Sequence, residues 1–446
     1  MNSRFKALTM IVIAIILVLS TALSAGAAAT ATEPPSPYKA FDMKGVTITF
    51  SKWWNEVPEE GTQDREKWDA NKERIEKKYN VKLEFVNVGY GEEVKKLVTS
   101  SLAGKAYADV IRTELWNMPQ LAQQGLIADL TKFDNFNDEK RWSAWVRNDG
   151  KWAGKQYGVY PATSIARTLW YNKSMIERLN MPDPYELYKK GQWNWDNFKK
   201  IAKAATKDTN GDGKTDIFGL AAAGNEITNY ILASNGAAAV KFNKQGKPGY
   251  GLDTPEAMKA LNFMYDIFNV DKIATADDRT NKFKNGQAAF VLTDFWDVGN
   301  FAEMDDEYVM LFFPKGPDAK DYGVSTPFAN LDFIAAKSGK DPQKVFQIYK
   351  DWYYRTLDPT PEQREQRAKD RHDALLAEYG SEITAEIYPE VTKRGRYEYS
   401  FSYGVDVGKI GDGIIKDKKK PAALVAAIKQ ESVSNIVKNY YGEKKK

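Results

Sequence analysis

"VKLEFVNVGYGEEVKKLVTSSLAGKAYADVIRTEL", residues 81–115, changes its periodicity twice. Residues 81–88 are rich in β-branched and apolar side chains and predict a strand. Residues 91–105 place apolar side chains at helical spacing and end in glycine, so a helix closing at Gly104 is expected. "ADVIRTEL" (108–115) predicts a second strand. A strand, a helix and a strand in succession are the parts of a parallel pair joined by a crossover. Working outward, "GVTITFSKWW" (45–54) alternates as a strand and ends in two tryptophans. "DREKWDANKERIEKKYN" (64–80) spaces Trp68, Ile75 and Tyr79 on one helical face. "MPQLAQQG" (118–125) predicts a helix, with a short segment "LIADL" after it. The β-α-β-α-β order specifies an α/β fold with a parallel sheet flanked by helices.

The same alternation returns later with other lengths. Residues 157–180 pass from extended segments into a helix. "WNWDNFKKIAKAAT" (193–206) predicts a helix capped by Asn194, with Trp195, Phe198, Ile201 or Ala202, and Ala205 facing inward. "DIFGLAAAG" and "VMLFFPKGP" read as strands, and "TPEAMKALNFMYDIF", "DPQKVFQIYKDWYY" and "PAALVAAIKQESVSNIV" as helices. With 446 residues the chain is long enough for two domains, each with its own core.

The N-terminus has the three parts of an export signal. Arg4 and Lys6 precede an apolar run from Ala7 to Leu23, and "AGA" or "AAA" within 25–29 offers small residues for cleavage. A retained anchor is the alternative. We expect a signal peptide over 1–28 and a flexible leader over 29–41, which contains "TEPPSPY". The protein is then exported, extracellular or periplasmic. It has no cysteine, which removes disulfides, thiol catalysis and lipidation at a cysteine; Gly26 stands where "LSAG" would need one. A formal charge of +4 makes no case for nucleic acid. Aromatic residues reach 13%, including 12 Trp and 24 Tyr, and some rings of an exported protein can stack on sugars while most anchor the core.

"DTNGDGKTDIFG" (208–219) places oxygens at Asp208, Asn210, Asp212 and Asp216, with Gly213 sixth and the Lys214 carbonyl seventh. That spacing matches most of a calcium loop, although Gly219 replaces the bidentate twelfth glutamate. A solvated turn is the plainer reading. We expect a structural Ca²⁺ that fixes a helix-to-strand connection.

Four ordered stretches resemble the extracellular solute-binding proteins of ABC importers, in the sugar-binding group that includes maltose-binding protein. They are "SSLAGKAYADVIRTE" with "LAQQGLIADLT", "LWYNKSMIERLN" with "GQWNWDNFKKIAK", "FKNGQAAFVLTDFW", and "FFPKGP". The resemblance implies two α/β lobes, each a mainly parallel sheet flanked by helices, with a ligand cleft between them. It places residues 42–161 plus 316–355 in the N-terminal lobe and 162–315 plus 356–446 in the other, with crossings near 160–164 and 312–316. It implies a monomer that captures a carbohydrate by hinge closure and delivers it to membrane permease subunits.

Carried over by matching motif, the ligand-facing residues are Trp53, Trp54 and Glu56 after the first strand, and Glu114 and Trp116 after the third. The others are Asn225 and Glu226 after "GLAAAG", Asp294, Trp296 and Asp297, and Phe401 and Tyr403 in "FSYG". Tyr171 is expected to pack inside. "ATSIA" (162–166) lacks the acidic residue of maltose-type members, so maltose is not implied. Arg112, Arg167 and Arg394 could meet a uronate but read as solvated. Two rival functions are a polysaccharide-active enzyme and a calcium-stiffened adhesin. No motif marks a catalytic carboxylate pair, the single histidine, His372, sits in a charged helix, and no repeats suggest an adhesin.

Overall fold

The computed structural model describes residues 36–139, 141–160, 167–326, 329–353 and 361–441. The chain divides into two compact units, Met1–Pro37 and Tyr38–Lys446. Only Ser36 and Pro37 of the first are among the described residues, so the expected signal peptide and most of the leader lie outside them. Every helix and strand named below belongs to the second unit.

The chain starts with β1 (Val46–Lys52), α1 (Gln63–Tyr79), β2 (Val81–Asn87), α2 (Glu92–Leu102) and β3 (Val110–Glu114). The expected α-β alternation is all there. Thr62 caps α1 by accepting from Arg65 N–H, and Ile75 and Tyr79 bury its inner face. Ala103 caps α2 and Gly104 follows in the left-handed region at φ +100°, where a side chain would be strained. A two-residue β4 (Gly158–Val159) completes this first pass.

Beyond the undescribed 161–166 come β5 (Arg167–Asn172), α3 (Trp195–Ala205), β6 (Phe218–Ala221), α4 (Gly224–Ser234), α5 (Pro255–Tyr265), β7 (Ala274–Thr275), β8 (Ala288–Asp294), β9 (Tyr308–Leu311) and β10 (Val324–Thr326). Asn194 caps α3 as expected, and Trp195, Phe198, Ile201, Ala202 and Ala205 are all buried. Tyr171 is fully buried in β5, its hydroxyl donating to Asp183 at 2.8 Å. The chain then returns with β11 (Asn330–Ile334) and α6 (Pro342–Tyr353). It finishes with α7 (Pro361–Tyr379), α8 (Glu382–Arg394), β12 (Gly395–Tyr397), α9 (Ser400–Tyr403), α10 (Val407–Ile415) and α11 (Pro421–Tyr441).

Two five-stranded sheets result, ordered β2-β1-β3-β11-β4 and β7-β6-β8-β5-β9. In the first, β1 is parallel to β2 and β3, whereas β11 runs against β3 and β4. In the second, β8 is parallel to β6, and β5 runs against β8 and β9. Each sheet therefore has one reversed strand. That strand is β11 in the first and β5 in the second, and each is the strand that enters from the other lobe. A reversed strand starts at the edge where its neighbours end. The edge carrying the parallel strands' C-termini is thus the edge that the crossings reach, and in α/β sheets this is where ligands collect.

The return to the first lobe comes later than the expected residue 316. Lys315 N–H donates to Trp193 O, Gly316 N–H to Ser234 O, and Asp318 N–H to Asn235 Oδ1. This segment belongs to the second lobe, and Val324 still packs in its core. "FFPKGP" runs on from β9 along that lobe and is not a crossing. Of the crossing expected near 160–164, all but Tyr160 lies outside the described residues, as does all of "PATSIA". Among the described residues no helix is long and apolar enough to cross a membrane.

Candidate functional site: the facing sheet edges

On the first lobe's edge, Glu114 ends β3 opposite Asn330, the first residue of β11. With its amide nitrogen turned toward the carboxylate, Asn330 donates to Oε2 and Oε1 at 2.7 and 3.0 Å. Tyr90 donates to Oε1 at 3.3 Å. Glu114 is only 4% exposed. Burial pushes its carboxyl up to about 8; the Tyr90 hydrogen bond opposes this, and the nearby Glu93 carboxylate adds to it.

Beside it, Trp53 and Trp54 follow β1, with ring centroids 5.0 Å apart at a steep angle, and Tyr90 meets Trp53 at 5.4 Å. Trp54 and Tyr90 remain exposed. Beneath them Arg112 makes a bidentate pair with Asp332, at 2.6 and 2.5 Å. Its guanidinium lies 4.5 Å from the Tyr160 ring centroid and 5.3 Å from that of Trp54. Lys52 pairs with Glu56, which also accepts from Tyr353 OH at 3.1 Å.

The second lobe's edge holds a denser network. Arg167 opens β5 and Asp294 closes β8, paired in register. Arg167 reaches Asp294 at 2.8 and 2.9 Å and Glu226, in the first turn of α4, at 3.0 Å. Arg279 joins Glu226, Asp294 at 3.4 Å and Asp297 at 3.2 Å. Burial raises the pKa of Glu226 and Asp294, while the arginines pull the other way. Two cations meet three carboxylates, so the cluster holds charge already balanced to within one unit.

The lobes touch beside these edges. Trp116, just past Glu114, lies 5.6 Å from Phe401 of the second lobe, ring to ring. A groove of about 520 Å³ runs along this pair, lined by Asn117, Gln120, Gln123 and Asn439 among others. Gln123 donates to Asn439 O at 3.0 Å, and Tyr399 OH to Asp149 at 2.7 Å.

The structure brings Glu114, Trp53 and Trp54 together on one edge, Glu226, Asp294 and Asp297 together on the other, and Trp116 against Phe401. The side chains of Asn225 and Trp296 lie outside the described set. Two of the expected ligand-facing residues turn away from the cleft, and the arginines differ from expectation as well. Glu56 points inward to Lys52 and Tyr353, since a carboxylate that close to a buried ammonium stays paired with it. Tyr403 is 4% exposed, because its ring packs with Phe242 and Tyr399 instead of lining the cleft. Arg112 and Arg167 are not solvated but buried, at 3% and 2% exposed, and Arg394 pairs with Asp321 and Glu390. Lys52, Tyr90, Arg279 and Asn330 went unnoticed in the sequence.

The five expected calcium donors occupy an exposed loop. Asp208 accepts from Gly211 and Gly213 N–H at 2.7 and 2.8 Å, and Asp212 from Lys214 N–H at 2.8 Å. Asp216 accepts from Thr209, and Asn210 Oδ1 from Asp212 N–H. These bonds hold the loop's own turns together. Among the described residues no group of three or more acidic or histidine side chains converges on a metal position.

The chain belongs to the family of bacterial extracellular solute-binding proteins, whose pattern matches residues 58–350. It is a solute-binding receptor and not an enzyme. Its fold is that of solved members of this class. A cyclic alpha-maltosyl-1,6-maltose binding protein from Arthrobacter globiformis aligns over 88% of this chain and 99% of its own, with TM-score 0.64 and 17% identity. The maltose-binding periplasmic protein of Listeria monocytogenes, in complex with maltose, covers 90% and 99%, with TM-score 0.61 and 18% identity. UgpB from Mycobacterium tuberculosis, in complex with glycerophosphocholine, covers 88% and 98%, with TM-score 0.58 and 18% identity. No curated protein matches this sequence.

Proposed function

We propose that the protein captures a neutral oligosaccharide between its two sheet edges by closure of the lobes and delivers it to the permease of an ABC importer. In this reading it works as a monomer outside the cytoplasm, exported by the signal peptide over 1–28. The observation that carries the proposal is the make-up of the two edges. The exposed rings of Trp54 and Phe401 and the half-buried ring of Trp116 suit the C–H faces of pyranoses, and planar carboxylates and amides at Glu114, Asn330, Glu226 and Asp297 suit vicinal hydroxyls. The cations Lys52, Arg112, Arg167 and Arg279 are each already paired with a carboxylate. An anionic ligand would have to break one of those pairs, whereas a neutral polyol leaves them intact. The two sugar-binding structural relatives accord with this class.

A thermal-shift panel tests the reading, since a bound ligand stabilises in proportion to the logarithm of its concentration over Kd. A neutral oligosaccharide should raise the melting temperature, and uronates and glycerophosphocholine should not. Stabilisation by an anionic ligand alone would overturn it. Calcium at Asp208–Asp216 stays a proposal that rests on residue spacing.

A further inference from the structure

The groove of about 520 Å³ beside Trp116 and Phe401 has one wall from each lobe. The first lobe supplies the segment that follows β3. Glu114 ends that strand, Trp116 and Asn117 come next, and the short helix Met118–Gln123 carries Gln120 and Gln123, with Gln124 at its end. The second lobe supplies Phe401 and Ser402 of α9 and Lys438 and Asn439 of α11.

Charged residues make up 28% of the sequence, yet Lys438 is the one charged side chain among the residues lining this groove. Amides take the place of charge, at Asn117, Gln120, Gln123, Gln124 and Asn439. Asn117 donates to Thr113 at 2.9 Å, which leaves its side-chain oxygen to accept, and Gln123 donates to Asn439 O. Gln120 and Gln124 are exposed, and their side chains make no hydrogen bond to the described residues. A carboxamide offers donors and an acceptor in one plane, and a sugar hydroxyl both gives and takes a hydrogen bond. Carboxylates only accept and ammoniums only donate, so a wall of amides matches a polyol better than it matches an ion. Phe401, 57% exposed, and the half-buried Trp116 add ring faces for C–H surfaces.

We propose that this groove is an outer subsite for the trailing units of a neutral oligosaccharide, so that the receptor favours longer chains over disaccharides. The inference rests on the carbohydrate reading of the cleft. Its volume gives room for roughly two pyranose units. Because its walls come from different lobes, a chain lying in it touches both and favours the disposition in which they meet.

The test is calorimetry of the purified protein with malto-, cello- and xylo-oligosaccharides, each from disaccharide to hexasaccharide. In whichever series binds, the hexasaccharide should bind at least about tenfold more tightly than the disaccharide. Gln120→Ala combined with Gln124→Ala, which alters two exposed side chains, should reduce that gain to below about threefold. Equal affinity for short and long chains would overturn the proposal, as would an undiminished gain in the double variant. The carbohydrate reading would survive either result, since sugar would still bind. Binding by none of the three series would remove the proposal together with that reading.

Discussion

Glu114→Gln should make the protein more stable, and increasingly so as pH rises. The carboxyl sits at about 8 in the fold against an ordinary 4.5. Below 4.5 both the folded and the unfolded chain hold the proton, and Glu114 is neutral in the balance. Between 4.5 and 8 the unfolded chain has lost its proton while the folded one keeps it, so stability falls as pH rises. Above 8 the carboxylate is ionised in both states and the burial penalty is complete. At about 1.4 kcal/mol per tenfold change in proton affinity, the step from 4.5 to about 8 comes to at most about 5 kcal/mol, because donation by Asn330 to both oxygens favours the ionised form and takes part of it back. Glutamine keeps the shape but never ionises, and its single acceptor oxygen serves Tyr90 while its amide nitrogen obliges Asn330 to present its own amide oxygen instead. Urea unfolding of both proteins from pH 5 to pH 9 measures the difference directly. The two should be close at pH 5 and diverge by about 3–5 kcal/mol, in favour of the variant, at pH 9. Asp149 and Glu398, each held at about 7 by burial, add a slope of the same sign to both proteins and cancel in the comparison. A stability offset that does not change with pH would show that Glu114 is not held in its acid form, and would refute the reasoning.

Other expectations rest on the same contacts. Arg112→Met takes the bidentate partner from buried Asp332 and leaves it the Tyr349 hydroxyl, 2.7 Å away; it should cost about 3–5 kcal/mol in urea unfolding, and Arg112→Met with Asp332→Leu should recover most of that. Trp116→Ala and Phe401→Ala should each weaken oligosaccharide binding about three- to tenfold by calorimetry without lowering the melting temperature of the unliganded protein, because both rings lie at an open groove. EDTA should lower the melting temperature without changing sugar affinity if calcium occupies the loop at 208–216; no effect of EDTA or of added Ca²⁺ would retire the metal.

The sheets were legible because their signal is local. Residues 81–115 change period where the strand, helix and strand lie, and Asn194 caps its helix by the ordinary rule. The reversed strands β5 and β11 were not legible, because pairing direction is set by partners far away in the chain, and so the return at 316 was placed too early. The site shows the same division. Glu114, Glu226 and Asp294 sit where strands and a helix begin or end, which a sequence reveals. Arg112 does carry a local signal, since an arginine inside a strand as apolar as "ADVIRTEL" must be buried and therefore paired. Arg279 lies in "DDRTNKFK", which reads as any charged surface, and only the fold brings it to Glu226 and Asp297. Tyr403 and Phe401 stand two residues apart in "FSYG", and nothing local says which ring turns inward.

The most direct measurement is small-angle X-ray scattering on the protein with and without a saturating neutral oligosaccharide taken from the thermal-shift panel. Capture between the two edges predicts a smaller radius of gyration with ligand, and loss of that contraction in Trp116→Ala at ligand concentrations that saturate only the unmodified protein. Saturated binding with an unchanged scattering curve would contradict capture by closure.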